Sequence, residues 1–312
     1  MLKFSLFVSL ALSCIYAQSF EIKDALDRDV IIEKVPVHSV AYMTYYETIP
    51  ALNAWEKVVG INRFAYKNEL MNASHLNLQS IPSPGTGSEV NIETMLRLKP
   101  DVVFTWTYKP DLVTFMHDKG LHVIAFDPKN LDDVYRDLRV QGVLLGKSDE
   151  AEKSIEKTKN LFALIDERLK QVKQPKTIIW TWSKPTKIAG GDGVMSDVLK
   201  RLGVYHPGDT FGSINPEISL EKIVRINPDV IIIWGSAKYS AEDLLNDPQW
   251  RTIKAIKNKQ VFKAPDWGSW SPRVALLALW SAAKIYPELF KEDEVSTITK
   301  EFNQAVFGVS LR

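Results

Sequence analysis

Tryptophan and tyrosine recur in this chain beside cations, each time just after an apolar run. Tyr45 and Tyr46 close "VHSVAYMTYY", and Arg63 and Tyr66 follow "VVGI". "DVVFTW" ends on Trp106 and leads through Thr107 to Tyr108 and Lys109. "TIIWTW" ends on Trp182, with Lys184 beyond it, and "PDVIIIW" ends on Trp234, followed by Gly235 and Ser236. "VFKAP" opens into "DWGSWSPR", which carries Trp267, Trp270 and Arg273. Indole and phenol rings bury large flat areas and keep a polar handle. They suit a bulky or ring-bearing ligand such as a metal chelate or a corrinoid. Arginine and lysine beside them suit its carboxylate, phosphate or catecholate groups. Packing is the rival role for each single tryptophan. Trp180, Trp250 and Trp280 fall inside predicted elements and read as packing. For Arg273, an ion pair near a helix start competes with ligand contact.

Other chemistries find less support. His38, His75, His117, His122 and His206 are scattered without close ligand spacing. A bare metal ion wants several converging N and O ligands, so the metal-ligand set is left unassigned. There is no G-x-S-x-G elbow, and "PGTGSEV" lacks the lysine of a phosphate loop. "GGDG" at 190–193 reads as a tight turn. The residues give no catalytic set and call for no cofactor, so the expectation is a binding protein and not an enzyme.

These residues need elements to hold them. "NIETMLRLKPDVVFTW" (91–106) and "SLEKIVRINPDVIIIW" (219–234) align without a gap, with Glu, Arg, Pro, Asp, Val and Trp in register. In each copy a capping residue, Asn91 or Ser219, starts a helix that proline stops. An apolar strand follows, with the pattern of a strand buried on both faces of a parallel sheet. Around the copies, strands alternate with helices: "KVVGI", "LHVIAF", "KTIIWTW" and "QVFKAP" against "ETIPALNAW", "DLVTFMHDKG", "GDGVMSDVLKRLG", "AEDLLNDPQWRTI" and "PRVALLALWSAAKIYPELF". That order argues for α/β units. "SPGTGSEV" reads as a loop. Between the halves, Ser148 caps a run of about 24 strong helix formers, roughly 36 Å long. In such sheets ligands bind beyond the carboxyl ends of strands, which is where the aromatic residues fall.

The 312 residues suffice for two lobes of about 130 residues each. The formal charge of +1, from 39 Lys+Arg against 38 Asp+Glu, gives no reason to propose nucleic acid as partner. "MLKFSLFVSLALSCIYAQSF" has the charged, apolar, small-residue plan of a secretory signal peptide. Cleavage is expected after Ala17. Lipid attachment at Cys14, the only cysteine, and a buried N-terminal helix are the alternatives. The organisation read from the chain is a signal segment (1–17), an N-terminal α/β lobe (18–147), a bridging helix (148–172) and a C-terminal α/β lobe (173–312).

With its duplicated helix–Pro-Asp–strand, its long middle helix, "GGDGVMSDVLKRLG" and the Trp/Ser/Pro-rich stretch before the last apolar helix, the sequence resembles a periplasmic substrate-binding protein of the helical-backbone class. The resemblance covers essentially the whole mature chain. It implies two lobes with mainly parallel sheets, one rigid bridging helix, and a ligand cleft between the lobes that closes only modestly. It implies a monomeric periplasmic protein that delivers a metal chelate to an ABC importer, a ferric siderophore-type complex being the first expectation. Cobalamin, haem, a nickel–amino-acid complex and a molybdate-type oxyanion are the alternative cargoes. It further implies that Glu93 and Glu221, one per lobe, dock on the membrane permease dimer. The helix macrodipole alone would also favour glutamate there.

Overall fold

A computed structural model describes residues 18–44 and 46–311. The expected signal segment, its cleavage point and Cys14 lie outside the described residues.

Two parallel sheets organise the chain. In the first, the strand order is Val58–Ile61, Val40–Tyr42, Val102–Trp106, Val123–Phe126. In the second it is Val261–Lys263, Val230–Ile233, Ile178–Thr181. Every pairing within these two sheets is parallel. Each neighbouring parallel pair requires a crossover, and strands Val40–Tyr42, Val123–Phe126, Ile178–Thr181 and Val230–Ile233 are buried throughout. Side chains alternate across the pleat. Val102 and Phe104 therefore face the large central core with Ile178, Trp180, Val230 and Ile232, while Val103 and Ile231 face separate outer cores.

The repeated segment, 91–106 and 219–234, builds the same device in each lobe. Helices Ile92–Leu98 and Leu220–Ile226 are capped by Asn91 and Ser219, which accept from the backbone N–H of Thr94 and Lys222. Each ends on a left-handed residue, Lys99 at φ 49° and Asn227 at φ 51°, which turns the chain into the strand. The aspartate of each "PD" then ties down a neighbouring strand's start. Asp101 Oδ2 accepts from the backbone N–H of His38 (2.8 Å) and Ser39 (2.9 Å). Asp229 Oδ2 accepts from that of Thr177 (2.9 Å).

The bridging helix runs Ser148–Leu169, about 33 Å at 1.5 Å per residue. Its N-cap position is Lys147 and no side chain caps it. Ser148, expected as the cap, is the first helical residue instead. Ala151, Ile155, Thr158, Phe162 and Ile165 are buried at three- and four-residue spacings, each large apolar side chain contributing on the order of 1.5–3 kcal/mol. Close approach of the preceding helix, Leu131–Leu145, depends on Gly142. A Cβ there would fall 2.8 Å from that of Ala151. Charged pairs hold both ends: Lys147 to Glu56 (3.0 Å) at the first lobe, and Arg201 to Asp166 (2.6 Å) at the second.

Three elements extend beyond those read from the sequence: an antiparallel hairpin, Gln18–Lys23 with Asp29–Val35; the helix Leu131–Leu145; and a final helix, Glu292–Phe307. The buried carboxylate of Asp24 joins the hairpin to the first sheet by accepting from Ala125 N–H (3.2 Å). "SPGTGSEV" is not wholly loop. Gly85–Thr86 and Glu89–Val90 pair as two short antiparallel strands, and Gly85, at φ 127°, lets them approach, since a Cβ there would sit 2.1 Å from the Glu89 carbonyl oxygen. "AEDLLNDPQWRTI" is helical only over Ala241–Asn246. Among the described residues no helix is long and apolar enough to cross a membrane.

Candidate functional site

The carboxyl ends of the two sheets converge, and the loops beyond them touch in three places. In the middle are aromatic rings. Trp106 ends its strand half-buried, on the face that Phe104 shares. Its ring lies against Gly87, where a Cβ would sit 2.5 Å from the indole. Tyr108 follows at 5.2 Å between ring centroids, and Trp270 of the second lobe stands 5.9 Å from Tyr108. One aromatic wall thus spans both lobes. Trp182 and Trp234 form a second group, edge to face at 6.0 Å, and Trp182 meets the fully buried Trp180 at 6.0 Å. The indole N–H groups of Trp106 and Trp182 are buried without a hydrogen-bond partner among the described residues.

A cavity of about 500 Å³ opens between the lobes, lined from one side by Lys129 and Asn130 and from the other by Gly191–Gly193, Ser196, Asp197, Lys200, Ser213 and Ile214. It adjoins the aromatic wall through Asp127, whose carboxylate accepts from Thr107 Oγ1 (3.0 Å) and Lys129 Nζ (2.6 Å). Lys129 stands on one side, and Asp192, Asp197 and Lys200 on the other, so the lining carries both signs of charge. Asp197 also bridges the lobes, accepting from Leu131 N–H at 3.0 Å.

The third contact is an ion-pair cluster. Arg273 is completely buried at the start of helix Val274–Ile285. It donates to Glu47 Oε1 (3.1 Å) and to Glu69 Oε1, both from the first lobe. Glu47 also accepts from Gly268 N–H (3.0 Å), Ser271 Oγ (2.8 Å) and Asn68 Nδ2 (3.0 Å). Trp267 donates its indole N–H to Glu69 (2.9 Å), and its ring lies 5.0 Å from the Arg273 guanidinium carbon.

The structure therefore gathers Trp106, Tyr108 and Trp270 in one wall and Trp182 with Trp234 in another. Trp267 and Arg273 belong to the ion-pair cluster, where two carboxylates occupy the guanidinium. Tyr46 stands beside this cluster. Burial first, then the charges of Glu47 and Asp266, push its phenol pKa up, so it is neutral. Arg63 stands apart, exposed, 3.9 Å from Glu89. Tyr66 donates to the Ile81 carbonyl at 2.5 Å. Lys184 pairs with Glu217, and Tyr45 lies outside the described residues. Trp180 and Trp250 are core residues, and Trp280 packs half-buried against the core. Sequence reading missed Glu47, Glu69, Asp127, Lys129 and Asp197. Glu47 had one signal, a carboxylate set directly between "TYY" and an apolar helix.

No group of three or more His, Cys, Asp or Glu that could hold a metal ion occurs among the described residues. His206 is buried between the Ile178 and Ala189 carbonyls, and burial lowers its pKa. Glu93 and Glu221 are exposed at the second position of their equivalent helices. The Glu221 pKa is lowered by its own backbone N–H and then by the Ser219 hydroxyl.

Two parallel-sheet lobes, a bridging helix and an interlobe cleft define a bilobal solute-binding protein. The sequence profile of the family described as periplasmic binding protein matches residues 39–266, and the chain belongs to that family. The structure of CeuE from Helicobacter pylori in complex with Ni-His superimposes with a TM-score of 0.83 at 32% identity, covering 94% of this chain and 96% of that one. The molybdate-binding protein MolA of Haemophilus influenzae is 26% identical over 93% of this chain and 89% of its own length. The Fe(3+)-citrate-binding protein YfmC of Bacillus subtilis is 23% identical, with 61% of each chain aligned.

Proposed function

We propose that this protein is the periplasmic solute-binding component of an ABC importer and captures a metal chelate between its lobes. One observation carries the reading. The Trp106–Tyr108–Trp270 wall is built from both lobes beside a cavity of about 500 Å³, a size within the usual range of small-molecule sites. Flat rings suit a chelate's organic shell, and Lys129 and Lys200 suit its carboxylate or catecholate groups. A ferric siderophore-type complex remains the first cargo, on the strength of the aromatic wall. A compact complex, metal–amino acid or metal–carboxylate, is the second, favoured by the mixed charge of the cavity and by the Ni-His and Fe(3+)-citrate of two relatives.

Glu93 and Glu221 serve as docking carboxylates, one per lobe, for two positive sites on the permease pair. Such contacts guide orientation more than they supply affinity. The mature chain acts as a monomer and begins after Ala17.

The test is native mass spectrometry and metal analysis of protein taken from its own periplasm. Titration with ferric chelates, nickel–histidine, cobalamin, haem and molybdate follows, read by tryptophan fluorescence. A retained metal complex, with quenching by the same class, supports the reading. No retained metal and no response to any of the five overturns it.

A further inference from the structure

Both lysines that line the cavity are already paired. Lys129 Nζ lies 2.6 Å from Asp127 Oδ2. Lys200 Nζ donates to the Gly191 carbonyl at 3.1 Å and stands 3.8 Å from Asp209 Oδ1. The lining adds two carboxylates of its own, Asp192 and Asp197. Two lysines thus stand against four aspartates, a formal charge of −2. Asp197 lies in the first turn of helix Val194–Arg201, where a carboxylate offsets the positive end of the helix. Of the cations at strand ends, Lys109 is exposed, and Arg63, Lys184 and Arg273 pair with Glu89, Glu217 and Glu47.

Asp127 joins this charge pattern to the aromatic wall. It follows strand Val123–Phe126 at the carboxyl end of the first sheet. The same Oδ2 that meets Lys129 accepts from Thr107 Oγ1 at 3.0 Å, and Thr107 stands between Trp106 and Tyr108. Its charge reaches the wall: burial, and then Asp127, push the Tyr108 phenol pKa up to about 12. A cargo oxygen can still bond to Lys129 or Lys200. Each such oxygen shares its lysine with an aspartate, so the pair adds little net attraction for an anion. A complex of low charge loses nothing by this. A polyanion meets the carboxylates of Asp127, Asp192 and Asp197 without a surplus of cations.

We infer that Asp127 is a specificity-determining residue: paired with Lys129, it keeps the cleft from turning positive and restricts the cargo to complexes of low net charge, against polyanions. Within the siderophore-type class this selects an uncharged ferric tris-hydroxamate over a trianionic ferric tris-catecholate. The inference deepens the reading of the cleft as a chelate site and rests on it, but one arm of its test needs no cargo, so the two can fail separately.

The first arm is quenching of tryptophan fluorescence in the cargo-free protein by iodide, caesium and acrylamide. Asp127→Asn keeps a carbonyl oxygen for Thr107 and removes only the charge. It should raise quenching by iodide relative to acrylamide roughly twofold and lower that by caesium. Adding Lys129→Gln should return both ratios, and Lys129→Gln alone should shift them the opposite way. The second arm titrates the same proteins with the uncharged tris-hydroxamate and the trianionic tris-catecholate at low salt. Asp127→Asn should raise affinity for the trianion relative to the uncharged complex about tenfold, and Lys129→Gln should reverse the gain. Unchanged quenching ratios in both single variants, with circular dichroism reporting folded proteins, overturn the inference. An unchanged preference between the two complexes overturns it equally. If neither complex binds, the chelate reading of the cleft fails, while the quenching ratios still decide whether Asp127 sets its charge.

Discussion

Arg273 and Glu47, 226 residues apart, form an ion pair at 3.1 Å that joins the two lobes with both side chains out of water. The guanidinium is fully buried in this arrangement. Its energetic role follows from what its removal leaves behind.

Arg273→Ala leaves Glu47 buried without its cation, and breaking such a pair costs about 3–5 kcal/mol. Glu69 is half-exposed, and solvent screens its share, so Glu69→Gln should cost no more than about 1 kcal/mol. Urea unfolding of both variants checks the contrast. Equal losses would place the stabilisation outside the buried pair.

Gly87 leaves room for the Trp106 indole, and any side chain there must displace the ring. Gly87→Ala should weaken cargo binding on the order of tenfold, equivalent to about 1.4 kcal/mol. Fluorescence titration with the chelate found in the native protein is the measurement. Unchanged affinity would remove Trp106 from the binding wall.

Asp137 is buried on the helix Leu131–Leu145, and its Oδ2 has no hydrogen-bond partner among the described residues. Burial pushes its pKa up to about 7, against the lowering pull of Arg136. Since the folded value lies above the unfolded one, the folded state holds the proton longer. The associated stability is present below the ordinary aspartate pKa near 3.8 and is lost as pH rises towards 7. Asp137→Asn should flatten the pH dependence of thermal unfolding across that window and leave the variant relatively more stable at neutral pH. An unaltered pH profile would contradict the assignment.

Asp101 and Asp229 do equivalent work in separate lobes, each accepting from backbone N–H just ahead of a neighbouring strand. Asp101→Ala and Asp229→Ala should each cost about 1 kcal/mol. With no shared partners, the two losses should add in the double variant, as denaturant midpoints would reveal.

Charge reversal at both Glu93 and Glu221 should abolish uptake in cells while cargo affinity measured on the purified protein stays unchanged. Normal uptake by the double variant would return both residues to a helix-end role.

Much of the fold was legible because its signals are local. Asn91 and Ser219 cap helices through the N–H three residues on, the prolines stop them, and apolar runs mark strands buried on both faces. These effects act within a turn or a strand, so residue order alone determined the two equivalent units, the helix between them and the aromatic side chains at strand ends. The cleft's polar partners were hidden for the opposite reason. Glu47 and Glu69 stand at helix starts, where a carboxylate is ordinary, and Asp127 and Lys129 stand between elements, so nothing local marks them. Their roles depend on which loops the two sheets bring face to face. Only the tertiary structure set Tyr108 against Trp270, closed Arg273 between two carboxylates and opened the cavity beside Lys129, because contacts across a cleft depend on how the lobes sit, which no local period encodes.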